Sequence, residues 1–87
     1  MATIFIPPLM RELTGGVAQV IVEGATLRDV FAAIDRQYPG LQARVTASEA
    51  LAPGIVVSID GTMTSRMLAP VRPESEIHIL PAIGGGN

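Results

Sequence analysis

Eighty-seven residues with a formal net charge of −2, no cysteine and one histidine exclude a disulfide framework, a thiolate or histidine-rich metal centre and a cysteine nucleophile. The acidic balance leaves no electrostatic footprint for nucleic acid; no apolar run approaches the ~20 residues that span a bilayer, and no basic segment leads into a signal-type core, so the expected location is the cytoplasm. The length suffices for one small core, which must be built from Ile, Val, Leu and Met because only Phe5, Phe31 and Tyr38 are aromatic.

Ala2 to Ile6 is short, apolar and β-prone, and Pro7-Pro8 ends its hydrogen-bonding capacity. Leu9 to Thr14 reads as a connection closed by Gly15-Gly16. The β-branched run Val17 to Val22 reads as a second strand, making a hairpin with a long loop. Glu23-Gly24 breaks that strand. Thr26 then offers an N-cap, with Asp29 three residues on in the manner of a capping box. Leu27, Val30, Phe31, Ile34 and Tyr38 recur at helical spacing and predict an amphipathic helix from Leu27 to Gln37, stopped by Pro39-Gly40. Leu41 to Pro53 carries only loose packing signals and reads as a surface loop or a short turn of helix. Ile55 to Asp60 is an almost continuously apolar strand, and Asp60-Gly61 a tight turn into Thr62-Met63-Thr64. Ser65 to Ala69 admits a single helical turn, Pro70 to Ser75 is a loop, and Glu76 to Leu80 is the last strand.

Ile4 and Ile6, and again Ile77 and Ile79, alternate as half-buried strands do. One amphipathic helix must bury its stripe against one sheet, which predicts a two-layer α+β domain. The helical crossover lets the first and last strands lie side by side and parallel in the middle of that sheet. These features together predict a β-grasp, a mixed sheet packed on one main helix. Residues 1–81 are expected to form it, and residues 82–87 a flexible glycine-rich tail.

The tail is the most informative segment. Gly84-Gly85-Gly86 stands almost at the carboxyl terminus, where glycine has no turn or helix end to serve. Without Cβ atoms such a tail passes into a narrow channel, which suits a protein whose own terminus is the reacting group. Extended, residues 82–86 reach roughly 17 Å at ~3.3–3.6 Å per residue. Gly15-Gly16, by contrast, is internal and reads as hairpin geometry.

Several segments, in order and at compatible spacing, resemble one family. They are the stretch from Pro8 to Gly16, the helix opening Gly24-Ala25-Thr26-Leu27-Arg28-Asp29-Val30, the helix exit Tyr38-Pro39-Gly40-Leu41, Ile59-Asp60-Gly61, and the run from Glu76 to Gly86. Over nearly its whole length the chain is similar to the ubiquitin-like sulfur carriers of the MoaD/ThiS type. The resemblance implies a protein co-substrate, or a small synthase subunit, that is not an enzyme and binds no cofactor or metal. A partner adenylating enzyme would join its terminal glycine to AMP using ATP and magnesium. A sulfur donor would then displace AMP and leave a thiocarboxylate, which passes sulfur to a downstream synthase in molybdopterin, thiamin or other biosynthesis. The electrostatic stabilisation would come from the partner.

Aligned on the family's Pro-Ala-Val-Ala-Gly-Gly ending, the diglycine falls at Gly85-Gly86 and the alanine position at Gly84. Gly86 is then the activated residue, Gly85 and Gly84 are recognised as the tail, and Asn87 is one residue too many. The resemblance implies cleavage between Gly86 and Asn87 by a peptidase, a zinc enzyme in some members; the alternative is a remnant or a degenerate tail. A different function class is a ubiquitin-like modifier, whose Gly86 forms isopeptide bonds with lysines, or a non-catalytic interaction module. All six basic residues are arginine; base composition explains this, as does avoidance of an ε-amino group that would attack an activated carboxylate. His78, between Ile77 and Ile79, is expected on the opposite sheet face with Leu80, where the fold commonly docks partners. Met63 and Met67 belong either to that patch or to the core edge. Neither nucleic acid nor membrane is an expected partner.

Overall fold

β1 (Ala2–Phe5) alternates buried Ala2 and Ile4 with half-buried Thr3 and Phe5, so every second side chain enters the core. The computed structural model describes residues 1–81, with the backbone alone at Pro81; the expected tail at 82–87 lies outside the described residues. Pro7 and Pro8 cannot extend the β1 ladder, and Pro8 instead opens a 3-10 helix, Pro8–Thr14, that ends on Gly15 in the left-handed region. The expected connection is therefore helical. Proline at the first helical position lacks only an N–H that would have no partner within the helix, and Met10 and Thr14 are buried beneath it.

β2 (Gln19–Val22) returns antiparallel to β1, pairing Ala2 with Val22 and Phe5 with Gln19. It starts later than expected because Val17 is still in the turn, its N–H donating to Thr14 O at 3.3 Å. α1 (Leu27–Gln37) has the expected bounds, and Thr26 Oγ1 accepts from Asp29 N at 3.2 Å. Leu27, Val30, Phe31 and Ile34 are fully buried, and Tyr38 packs against the core from the helix end.

α1 also decides the conformation of residues 65–69. The first N–H groups of a helix have no intrahelical acceptor; here Leu27 N donates to Ala69 O at 3.0 Å and Arg28 N to Met67 O at 2.8 Å. The single helical turn admitted at Ser65 to Ala69 is absent: a turn bond from Ala69 N to Arg66 O at 3.1 Å remains, and the carbonyls serve α1 instead.

The undecided stretch after α1 folds as a short helix, α2 (Leu41–Val45), followed by a hairpin of β3 (Thr46–Ala47) and β4 (Ala50–Leu51). Asp35 Oδ1 accepts from Gly40 N at 3.0 Å and Gln42 N at 3.1 Å, fixing where α2 begins. β5 (Ile55–Ile59) and β6 (Thr62–Thr64) form a two-residue hairpin. Asp60 at φ 51° and Gly61 at φ 87° both occupy the positive-φ region that such a turn requires. β7 (Glu76–Pro81) completes the sheet.

The order is β2-β1-β7-β5-β6, with β7 parallel to β1 and antiparallel to β5. α1 packs on one face, against Ile4, Val57, Ile77 and Ile79. The result is the expected α+β architecture, a mixed sheet on one main helix. Among the described residues no helix is long and apolar enough to cross a membrane.

Candidate functional site: the outer sheet face and the base of the tail

β7 leads directly toward the glycine run. It lies between β1 and β5, with parallel pairs Ile4–Ile77 and Phe5–His78 on one side and antiparallel pairs Val56–Leu80 and Ile55–Pro81 on the other. β7 is thus the middle strand of five and is paired along both edges. Gly84, Gly85, Gly86 and Asn87 themselves lie outside the described residues.

Strand alternation turns Ile77 and Ile79 into the core and His78 and Leu80 to the outer face. The register then aligns one row across that face: Gln19, Phe5, His78, Ser58 and Met63. The imidazole of His78 stacks on Phe5. Leu80 pairs with Val56 on the same side. Met63 is 63% exposed, Ile21 60% and Leu80 37%, so apolar surface stands open here.

Three of the four proposed surface residues thus share a face. Met67 does not: it is half-buried, packs against the core, and its carbonyl serves the start of α1. Sequence reading missed Phe5 and Ile21 as members of the face. The alternation of Ala2, Ile4 and Ile6, and of Val20 and Val22, was the signal that could have found them.

At the carboxyl end of β1 and β7, Phe5, Pro8, Arg11, His78 and Leu80 line a shallow groove of about 360 Å³. Arg11 Nε donates to Ile6 O at 3.0 Å. At the other end of β7, Asp60 fastens the strand's first residues: Oδ2 accepts from Ser75 Oγ at 2.7 Å and Oδ1 from Glu76 N at 2.9 Å. The Ser75 hydroxyl above all, then the Glu76 N–H and the Arg72 guanidinium at 3.6 Å, hold the Asp60 carboxyl below the usual aspartate range. This cluster is structural, because its donors and acceptors satisfy one another.

Among the described residues no group of three or more His, Cys, Asp or Glu could hold a metal ion. Ser58 and His78 are register neighbours with no hydrogen bond between them among the described residues, and the imidazole is oriented by its stack on Phe5, which offers it no proton acceptor.

The family model described as the ThiS family matches residues 5–86. Among solved structures, the chain is similar to the Amycolatopsis orientalis CysO seen in the BexX/CysO complex: identity is 29%, the TM-score 0.93, and the match covers 99% of this chain and 100% of that one. Mycobacterium tuberculosis CysO matches at 22% identity and a TM-score of 0.88, over 95% of this chain and all of that one. The small archaeal modifier protein 1 of Methanosarcina acetivorans matches at 21% identity and a TM-score of 0.81, over 98% and 95% of the two chains. Comparison with curated protein sequences finds no significant match. The family match spans nearly the whole chain, glycine run included, and the fold agrees with it: this chain belongs to the ThiS family, the ubiquitin-like sulfur carriers and modifiers built on the β-grasp fold.

Proposed function

We propose that the chain is a sulfur carrier whose Gly86 carboxylate is adenylated and converted to a thiocarboxylate. The observation that carries this reading is the family match, which runs through the glycine run and stops at residue 86. The rigid placement of β7 at the sheet centre supports it, since a tail leaving from Pro81 starts from a fixed point.

The chemistry follows from the weakness of a carboxylate as an electrophile. A Gly86 carboxylate oxygen attacks the α-phosphorus of ATP, with magnesium bound to the nucleotide, and pyrophosphate leaves. Hydrosulfide, as a sulfide-level donor, then attacks the acyl carbon, AMP leaves with the electron pair of the broken C–O bond, and loss of the sulfur's proton gives the thiocarboxylate. The adenylating partner supplies the donors and cations that stabilise these steps. The carrier's contribution is a tail without Cβ atoms at Gly84, Gly85 and Gly86, and a surface to dock. We assign the docking surface to the outer face bearing His78, Leu80 and Met63. The likeness to a CysO seen in complex with another protein supports a partner-bound working state.

Asn87 follows Gly86, so hydrolysis of the Gly86–Asn87 peptide bond must precede activation. A peptidase, of the zinc-dependent type, is the partner this step requires. The cytoplasm, where ATP and an adenylating enzyme meet the carrier, is the location this reading assigns, and a downstream synthase that accepts sulfur determines the pathway.

Intact-mass measurement tests the reading. Chains ending at Asn87 and at Gly86 are each incubated with the host's adenylating enzyme, ATP, magnesium and a sulfur source. The expected result is replacement of one oxygen by sulfur in the Gly86 chain alone. A thiocarboxylate on the chain still ending in Asn87 overturns the processing step. Covalent adducts on lysines of other proteins instead identify a modifier, and an unchanged mass with the proper enzyme identifies an interaction module.

A further inference from the structure

We propose that the groove at the carboxyl end of β1 and β7 is a carboxylate-binding notch, in which Arg11 receives an Asp or Glu side chain of the adenylating partner. The proposal rests on the reading of the chain as an adenylated carrier.

Arg11 is fixed before any partner arrives. Its Nε donates to Ile6 O at 3.0 Å, which holds the guanidinium plane and leaves the two terminal nitrogens as a fork. Such a fork matches the two oxygens of a carboxylate, and little side-chain freedom remains to be lost on binding. Phe5 and Pro8 form apolar walls beside it, and a lowered local dielectric strengthens a charge pair formed there.

Four of the six arginines, Arg11, Arg28, Arg36 and Arg66, have no carboxylate within ion-pair distance among the described residues, and of these four only Arg11 is half-buried rather than exposed. Arg44 already faces Glu12 at 3.8 Å and Arg72 faces Asp60 at 3.6 Å. Arg11 has no carboxylate within ion-pair distance among the described residues, and no acidic residue lines its groove. On a chain of net charge −2, an unmatched cation in a half-enclosed apolar setting calls for an anion from outside. The nearest acid along β7 is Glu76, at the opposite end of the strand.

Position names the occupant. Leu80 lines the groove, and β7 ends one residue later at Pro81, five residues before Gly86. A protein that holds Gly86 in its active site lies within roughly 17 Å of the end of β7, close enough for its docking surface to take in the notch beside Leu80. An acidic side chain seated on Arg11 would fix the direction in which the tail leaves the domain.

The test is adenylation by the host enzyme, read as pyrophosphate release against carrier concentration, for chains ending at Gly86. Arg11→Gln is expected to raise KM roughly tenfold or more with kcat little changed, and Arg11→Lys to fall between it and wild type. Pro8→Glu places a competing carboxylate on the groove wall while leaving the Arg11–Ile6 bond intact, and is expected to raise KM in the same way. Both Gln and Glu variants should also lose part of the salt dependence of KM. Pro8→Glu serves should Arg11→Gln fail to fold, with thermal melting as the check. Wild-type KM and salt dependence in the folded variants overturn the proposal. So does a shift of the Arg11 Nε–H resonance on removing residues 82–87 from the free protein, which would make the chain's own tail the occupant. Absence of any adenylation of the wild-type chain overturns the carrier reading itself, and the notch with it.

Discussion

The imidazole of His78 lies flat on the ring of Phe5, with centroids 4.2 Å apart and planes within 1° of parallel. The two residues sit on neighbouring parallel strands, directly opposite in register, on the face away from α1. The stack joins β1 to the strand that leads into the tail. A double-mutant cycle on Phe5→Ala and His78→Ala should give a coupling of about 0.5–1 kcal/mol in urea unfolding, the size of a cross-strand aromatic pair. Additive losses would mean that the stack contributes nothing beyond its separate contacts.

Exposure separates the docking candidates from the core. Met63→Glu and Leu80→Glu change surface side chains and should alter stability by no more than ~0.5 kcal/mol, while weakening capture by the adenylating enzyme. Met67→Ala should do the reverse, costing about 1–2 kcal/mol through lost packing and leaving KM near wild type. Thermal melts beside adenylation kinetics read both quantities.

Asp60 gives the acid limb of stability a defined source. Its native carboxyl ionises below the usual aspartate value because Ser75, the Glu76 N–H and Arg72 favour the anion. Below that usual value, about 3.9, the unfolded chain therefore holds a proton that the native state lacks. The stabilisation is complete above this pH and is lost as pH falls through the lower native value. Asp60→Asn should flatten this part of the profile, seen as urea midpoints that change less between about pH 2 and pH 5 than those of the wild type.

Gly24 meets α1 at close range. A Cβ there would lie 2.8 Å from Val30 N and 3.0 Å from Asp29 Cβ, atoms that move only if the helix moves. Gly24→Ala should cost about 1–3 kcal/mol by overpacking. Thr26→Ala, which removes the side chain accepting from Asp29 N, should cost about 1 kcal/mol. Urea denaturation followed by circular dichroism distinguishes the two.

α1 was legible to the residue because its signals are local: an N-cap, an apolar stripe at helical spacing and a Pro-Gly stop all lie within its own few turns. The Asp60-Gly61 turn and the inward alternation of Ile4, Ile77 and Ile79 were legible for the same reason. Residues 65–69 were not, since their carbonyls answer to Leu27 and Arg28, about 40 residues earlier in the chain. α2 likewise depends on an Asp35 side chain that belongs to α1.

The sequence by itself determined the helix, the strand faces, the hairpin turn and the glycine run that marks the family, because short-range periodicity and backbone preference encode each of them. Tertiary structure alone decided which side chains meet. The row from Gln19 through Phe5, His78 and Ser58 to Met63 draws on every strand of the main sheet, and the notch at Arg11 forms where a 3-10 helix folds back on the ends of β1 and β7. Register and chain reversal are set by packing and hydrogen bonding between distant segments, and no local window of sequence contains both partners.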